Sequence, residues 1–196
     1  MKCLVVIAHP VENSFCLQVS RQIVDELNSA DHSVIIEDLY QEKFDPVLSK
    51  HERNSYHADA YRGDLVKKQA HNLVEAEILI LIFPTWWFGF PAVLKGWFDR
   101  VWSPGVAFDH GENFGPIKPR LFNLQRVLVV TSLGAPWWMD WIVMGRPVRR
   151  MIKTALLRAC APRAKLDFLS MYNSETLNKK RFAVFSQKVK NTINGW

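Results

Sequence analysis

The chain has 196 residues, 48% of them hydrophobic and 22% charged. That balance suits one domain of ordinary size, 1–196, with a sizeable core, and excludes two domains, a disordered tail or a fibrous repeat. Basic residues outnumber acidic ones by 25 to 19, a net charge of +6 with a pI near 9.3. This favours anionic partners in general, with phosphorylated cofactors, anionic lipid and nucleic acid all open. Three cysteines, Cys3, Cys16 and Cys160, stand without C-x-x-C spacing; neither a disulfide framework nor structural zinc is expected, and the expected home is the reducing cytoplasm. The opening MKCLVVIAHP is too short and wrongly flanked for a secretory leader.

In chain order, residues 4–8 form a near-continuous apolar run, the pattern of a strand buried on both faces. Phe15, Val19, Ile23 and Leu27 recur every fourth residue, one stripe of a helix that Asn13 or Ser14 can cap. A second strand is predicted over 33–39, a long irregular stretch over 41–62, and a helix over 63–76. Residues 78–83 read as a third buried strand. The apolar stretch that contains them, 78–94, is broken by Pro84, Gly89 and Pro91 and falls short of the ~20 residues of a membrane span. Leu94, Trp97, Phe98 and Val101 mark a helix, 103–125 a second irregular stretch, and 127–130 a fourth strand. A helix over 147–160, a strand over 165–171 and a closing helix over 174–190 complete the chain. Strand and helix alternate throughout, which argues for an α/β domain with five parallel strands and helices on both faces.

Ligands of such sheets bind beyond the carboxyl ends of the strands, so the loops after the first, third and fourth strands belong together. The first is His9-Pro10-Val11-Glu12-Asn13-Ser14-Phe15, where a capped helix start leaves backbone N–H groups free for a phosphate, unless Glu12 points inward. The second, Phe83 through Pro91, is an aromatic cluster that suits a planar ligand, the core or a subunit contact. The third, Thr131-Ser132-Leu133-Gly134-Ala135-Pro136, offers hydroxyls, N–H groups and a Gly turn. Neither G-x-G-x-x-G nor G-x-x-x-x-G-K-[ST] is present.

These loops resemble those of the NAD(P)H:quinone oxidoreductases of flavodoxin-like fold, a family that includes short bacterial members and flavin-binding regulators of potassium efflux. FPTWWFGFPAVLKGWFDRVWSPGVAF, 83–108, carries the resemblance most specifically; VIAHPVENSF and VTSLG match less tightly. The resemblance implies a three-layer α/β/α fold with sheet order 2-1-3-4-5, a flavin cofactor (FAD, with FMN as the alternative), NAD(P)H as hydride donor and a quinone or similar planar acceptor. It also implies a homodimer with the site at the subunit interface. It assigns His9, Ser14, Phe15 and Cys16 to the flavin phosphate and ribityl region. Pro84, Thr85, Trp86, Trp87 and Phe88 fall to the isoalloxazine edge, Thr131, Ser132, Leu133 and Gly134 to the pyrimidine side, and Arg181 to a position near the cofactor. Phe108 and His110 fall near quinone-contacting positions. The larger members carry a Tyr and a His after the fourth-strand loop; here that region reads Trp137-Trp138-Met139-Asp140-Trp141-Ile142 and no His follows His110. Trp137 and Trp138 are then expected to pack against the ring.

Other residues read more plainly. His32, His51, His57 and His71 have no metal-ligand spacing and are expected at the surface, with no metal site. Cys16 is expected to pack. Arg149, Arg150 and Lys153 cluster at helical spacing, a positive face that suits NADPH phosphates, an acidic partner, lipid headgroups or plain solvent. No module for nucleic-acid binding appears and no hydrolase nucleophile elbow is present. The expected function is flavin-dependent two-electron transfer from NAD(P)H to a quinone in alternating half-reactions. A flavin-binding accessory protein of a potassium-efflux transporter is the alternative, and a basic chain with extra loops fits a small electron carrier poorly.

Overall fold

A computed structural model describes residues 1–58, 61–112 and 115–196; parts of both long irregular stretches, 59–60 and 113–114, lie outside the described residues. The sheet strands are β1 (Lys2–Ile7), β2 (Ser33–Asp38), β3 (Ile78–Pro84), β6 (Arg126–Ser132) and β7 (Lys165–Met171), with a separate antiparallel ribbon of β4 (Phe108–Asp109) and β5 (Lys118–Pro119). All sheet pairings are parallel, in the order β2-β1-β3-β6-β7. Counting sheet strands alone this is the expected 2-1-3-4-5.

Alternation along the strands feeds two cores. Cys3, Val5, Ile7, Ile78, Ile80 and Ile82 point to one face, under α1 (Phe15–Ser29) and α7 (Lys179–Asn194). Leu4, Val6, Leu79, Leu81, Phe83 and Val127 point to the other. That face lies under α3 (Lys67–Glu75), α4 (Ala92–Val101) and the helix that begins with α5 (Pro147–Arg150) and ends with α6 (Arg158–Cys160). Burying each such side chain contributes roughly 1.5–3 kcal/mol. Two-sided burial is why these strands read as unbroken apolar runs.

The differences from the sequence expectations sit at element ends. The closing helix starts at Lys179, capped by Asn178, because residues 174–176 form a 3-10 turn first; α3 is likewise preceded by a 3-10 turn at Asp64–Val66. The helix over 147–160 widens to π-type hydrogen bonding across Met151–Leu157. The first irregular stretch holds α2 (Lys50–Asn54), started by a reciprocal capping box between Ser49 and Glu52. Glu52 is pinned by the buried Arg100 of α4, Nε to Oε1 at 2.8 Å. Arg100 also donates to the Asp45 carbonyl. A Cβ on Gly96 of α4 would fall 2.2 Å from the Pro46 carbonyl oxygen, so only glycine lets this stretch cross the helix. Contrary to the surface assignment, His32 is half-buried.

Among the described residues no helix is long and apolar enough to cross a membrane, and no cluster of His, Cys, Asp or Glu suits a metal ion.

Candidate functional site

The carboxyl ends of β1, β3 and β6 bring their loops to one edge of the sheet. Ser14 caps α1 from an extended backbone, its Oγ accepting the Leu17 N–H at 3.3 Å. No acidic residue occupies the first turn of α1, and among the described residues the Phe15 and Cys16 N–H groups have no partner. That helix start is a donor pair at the positive end of the helix dipole. His9 is half-buried; its Nδ1 accepts the Val11 N–H at 3.0 Å, which fixes the proton on Nε2, and burial holds the ring below the ordinary imidazole range. Cys16 is buried and accepts nothing from solvent; burial pushes its thiol up to about 12.

After β3 the chain makes a two-residue turn that composition does not foretell. The Trp86 and Gly89 N–H groups each donate to the other's carbonyl, at 3.2 and 2.9 Å, and the two central residues, Trp87 and Phe88, both have positive φ, 50° and 54°. This is the geometry that Asn-Gly ordinarily fills. Two aromatic residues held there are strained, and strain of this kind clusters at ligand sites. The turn leaves Trp87 fully exposed and, among the described residues, leaves the Trp87 and Phe88 N–H groups without partners. Trp86 reaches back toward the first loop, its ring 6.3 Å from that of His9.

Thr85 ties the second loop to the third: its N–H donates to the Ser132 carbonyl at 2.8 Å and its hydroxyl pairs with that of Thr131 at 2.7 Å. Between them opens a cleft of about 430 Å³ lined by Thr85, Trp86, Trp87, Phe88, Leu133, Gly134 and Ala135. The aromatic wall and the opposed Gly edge suit a flat ring, and the free N–H groups suit its polar rim. A neighbouring cleft of about 620 Å³ starts at the same His9 and carries Glu12, Asp25 and Asp38 against Arg21, an acidic lining that disfavours a phosphate.

The predicted residues thus divide. The three loops gather at one edge, but of their predicted residues Thr85, Trp86, Trp87, Phe88, Leu133 and Gly134 line the cleft, while Cys16, Pro84, Thr131 and Ser132 are buried. Arg181 meets the site indirectly: its terminal nitrogens donate to the carbonyls of Tyr172, Asn173 and Thr176, clamping the turn after β7. That turn in turn carries the third loop, through Leu133 N–H to Met171 and Ser174 N–H to Leu133. Trp137 and Trp138 follow the cleft but are exposed, 56% and 44%. Phe108 and His110 are not brought to the cleft within one chain. Phe108 lines a separate apolar hollow with Tyr56, Phe90, Phe98, Trp102 and Met151, and His110 stacks on His57, ring centres 4.5 Å apart.

Glu175 is an unforeseen neighbour, its Oε1 3.1 Å from where a Gly134 Cβ would lie. No local pattern marks it, since only the pairing of β7 with β6 brings it to the cleft. Asp140, by contrast with the exposed Glu175, is buried, accepting from the Tyr172 hydroxyl at 2.7 Å.

Comparison with known proteins agrees with this architecture. The chain is 33% identical over 153 residues to NAD(P)H dehydrogenase [quinone] 1 of Cavia porcellus, covering 68% of this chain and 54% of that one. It is 32% identical over 136 residues to an uncharacterized NAD(P)H oxidoreductase of Haemophilus influenzae, covering 67% and 65%. The chain thus spans between about half and two thirds of these relatives. Among solved structures, Smu.1420 from Streptococcus mutans superposes with a TM-score of 0.85 at 26% identity over the whole of both chains. NAD(P)H:quinone oxidoreductase from Methanothermobacter marburgensis does so at 0.79 and 23%, covering 96% and 93%, a likeness of fold alone. A family model described as flavodoxin-like fold matches residues 1–180, and the chain, with its five parallel strands in the order seen here, belongs to that flavodoxin-like family.

Proposed function

We propose that the chain is a flavin-dependent oxidoreductase that carries two electrons from NAD(P)H to a quinone or similar planar acceptor, acting as a homodimer. The observation that carries this reading is the convergence of three loops on one aromatic cleft whose central turn holds Trp87 and Phe88 at positive φ. The names of the relatives, NAD(P)H dehydrogenase [quinone] and NAD(P)H oxidoreductase, support the same chemistry.

A bound flavin would supply the hydride-accepting and hydride-donating ring; the protein's part is position and electrostatics. The free N–H groups at the start of α1 would hold its phosphate, and Thr85, Trp86, Trp87 and Phe88 one edge of the ring. Leu133 and Gly134 would face the other edge, with Thr131 and Ser132 buried behind them. Glu175 puts a negative charge at that rim, which opposes charge building up there. His9, neutral and fixed as the Nε2–H tautomer, acts as a donor rather than a cation. Reducing a quinone by hydride also takes one proton, and its source in this reading is water, since Trp137 and Trp138, which follow the third loop, offer no acid.

The test is an absorption spectrum of the protein reconstituted with FAD and FMN in parallel, followed by anaerobic NADPH or NADH and then a quinone. Bleaching by nicotinamide and recovery with quinone are expected, and the flavin that stays with the protein through desalting at the lower concentration assigns FAD or FMN. The folded Trp86→Asp variant should lose flavin, because it sets a carboxylate against the ring; unchanged affinity would overturn the placement. Flavin binding with negligible turnover would instead favour the accessory role.

A further inference from the structure

Beyond the cleft, the segment from Trp137 to Met144 turns a run of large apolar side chains into solvent. Ile142 and Val143 are 73% and 60% exposed, beside the exposed Trp141 and Met144. This tip is held in place. Asp140 is buried beneath it and accepts from Tyr172, while the Trp141 indole N–H donates to the Tyr172 hydroxyl at 2.9 Å. The Arg146 N–H donates to the Asp140 carbonyl at 2.8 Å, and its guanidinium lies 4.1 Å from the centre of the Trp141 ring. The apolar residues therefore project because the fold pins the turn that carries them.

The helix that follows supplies the second observation. Arg149, Lys153, Arg158 and Lys165 line a groove of about 670 Å³ beside the edge strand β7, with Leu157 and Leu166 on its floor. No described Asp or Glu lines it. Arg150 is exposed and reaches toward Gly145, just past the tip, which adds a further cation there.

We infer that this flank docks on an anionic lipid surface, the Trp141–Val143 tip entering the headgroup boundary and the groove cations meeting lipid phosphates. A merely solvated face does not expose Trp, Ile and Val together. Aromatic residues flanked by Arg and Lys are the pairing that an anionic interface selects, the rings at headgroup depth and the cations in the negative surface potential. A second copy of this chain fits less well. The groove offers four cations and, among the described residues, no carboxylate, a lining that suits an anionic surface better than another copy of a chain with net charge +6. The tip follows the cleft loop directly through Ala135 and Pro136, so docking holds the cleft mouth beside the bilayer. With the redox reading above, on which this sentence alone rests, that favours an acceptor dissolved in lipid.

The test is co-sedimentation of the full chain with phosphatidylcholine vesicles, with and without phosphatidylglycerol. Two surface variants accompany it, Ile142→Ser/Val143→Ser and Arg149→Glu/Lys153→Glu, with circular dichroism confirming their fold. Binding is expected only with phosphatidylglycerol present, weakening as salt rises, and falling at least about tenfold in each variant. Failure to sediment with anionic vesicles, or binding unchanged by both variants, would overturn the proposal. A dimer mass that disappears in Ile142→Ser/Val143→Ser would also overturn it, assigning the tip to a second copy. The readout is lipid binding, so it stands or falls apart from the flavin result.

Discussion

Replacing Trp87 with Gly should raise the thermal stability of the free protein although it removes the most prominent side chain of the cleft. The indole is fully exposed, so its loss uncovers no buried apolar area. Its backbone, at φ 50° next to Phe88 at 54°, is in the left-handed region, which costs an L residue roughly 1–2 kcal/mol and glycine almost nothing. Glycine gives back about 0.5–1 kcal/mol through the freedom it loses on folding. The balance is a net gain of about 0.5–1 kcal/mol. At roughly 2–4 °C per kcal/mol for a chain of this size, the unfolding midpoint should rise by about 1–4 °C. Calorimetry of ligand-free protein reads this directly. A midpoint lower than that of the original chain would refute the reasoning, because it would mean that the ring makes stabilising contacts or that the turn is unstrained. Saturating flavin should stabilise Trp87→Gly less than the original chain, since the proposed ring contact is gone.

Gly96→Ala should destabilise by about 1–3 kcal/mol or more in urea unfolding, because the new Cβ meets the Pro46 backbone rather than a yielding side chain. Arg100→Met should cost about 3–5 kcal/mol by leaving Glu52 buried and unpaired, and Arg100→Met/Glu52→Gln should recover part of it. Glu52 also sets a pH dependence. Burial would push its carboxyl up, but hydrogen bonds from Ser49 and the Arg100 guanidinium outweigh it and hold the group below the ordinary 4.5. Its folded value is depressed, so its contribution is complete above pH 4.5 and fades as pH falls through that lower value; acid titration of stability should show a shoulder that Glu52→Gln removes. The three cysteines are buried, with Cys3 pushed up to about 11 and Cys16 to about 12, so iodoacetamide at mildly alkaline pH should label the folded chain scarcely and all three after denaturation.

The sheet was legible in the sequence because strands covered on both faces, such as residues 78–83, must be apolar at every position, and α1 because Val19, Ile23 and Leu27 recur every fourth residue and are buried, with Phe15 at the head of that stripe only partly covered. Ends were less legible. Whether residues 174–178 continue a helix depends on Arg181 drawing the carbonyls of Tyr172, Asn173 and Thr176 into a turn, a competition that local propensity does not register. The loops of the site could be listed in advance from their place after the strands, yet the left-handed Trp87-Phe88 turn could not, since aromatic residues are poor candidates for positive φ.

By itself, then, the sequence determined the alternating α/β order, the two apolar faces of each central strand and the three loops that the parallel topology must gather at one edge. These follow from periodicity, which is local. The tertiary structure alone decided that Glu175 stands beside Gly134, that Arg100 is spent on Glu52, that Phe108 and His110 lie apart from the cleft of their own chain, and that the Trp137–Met144 segment projects outward over a buried Asp140. Each depends on contacts between residues distant in the chain, whose energies no local pattern encodes and which exist only once the sheet has set its neighbours side by side.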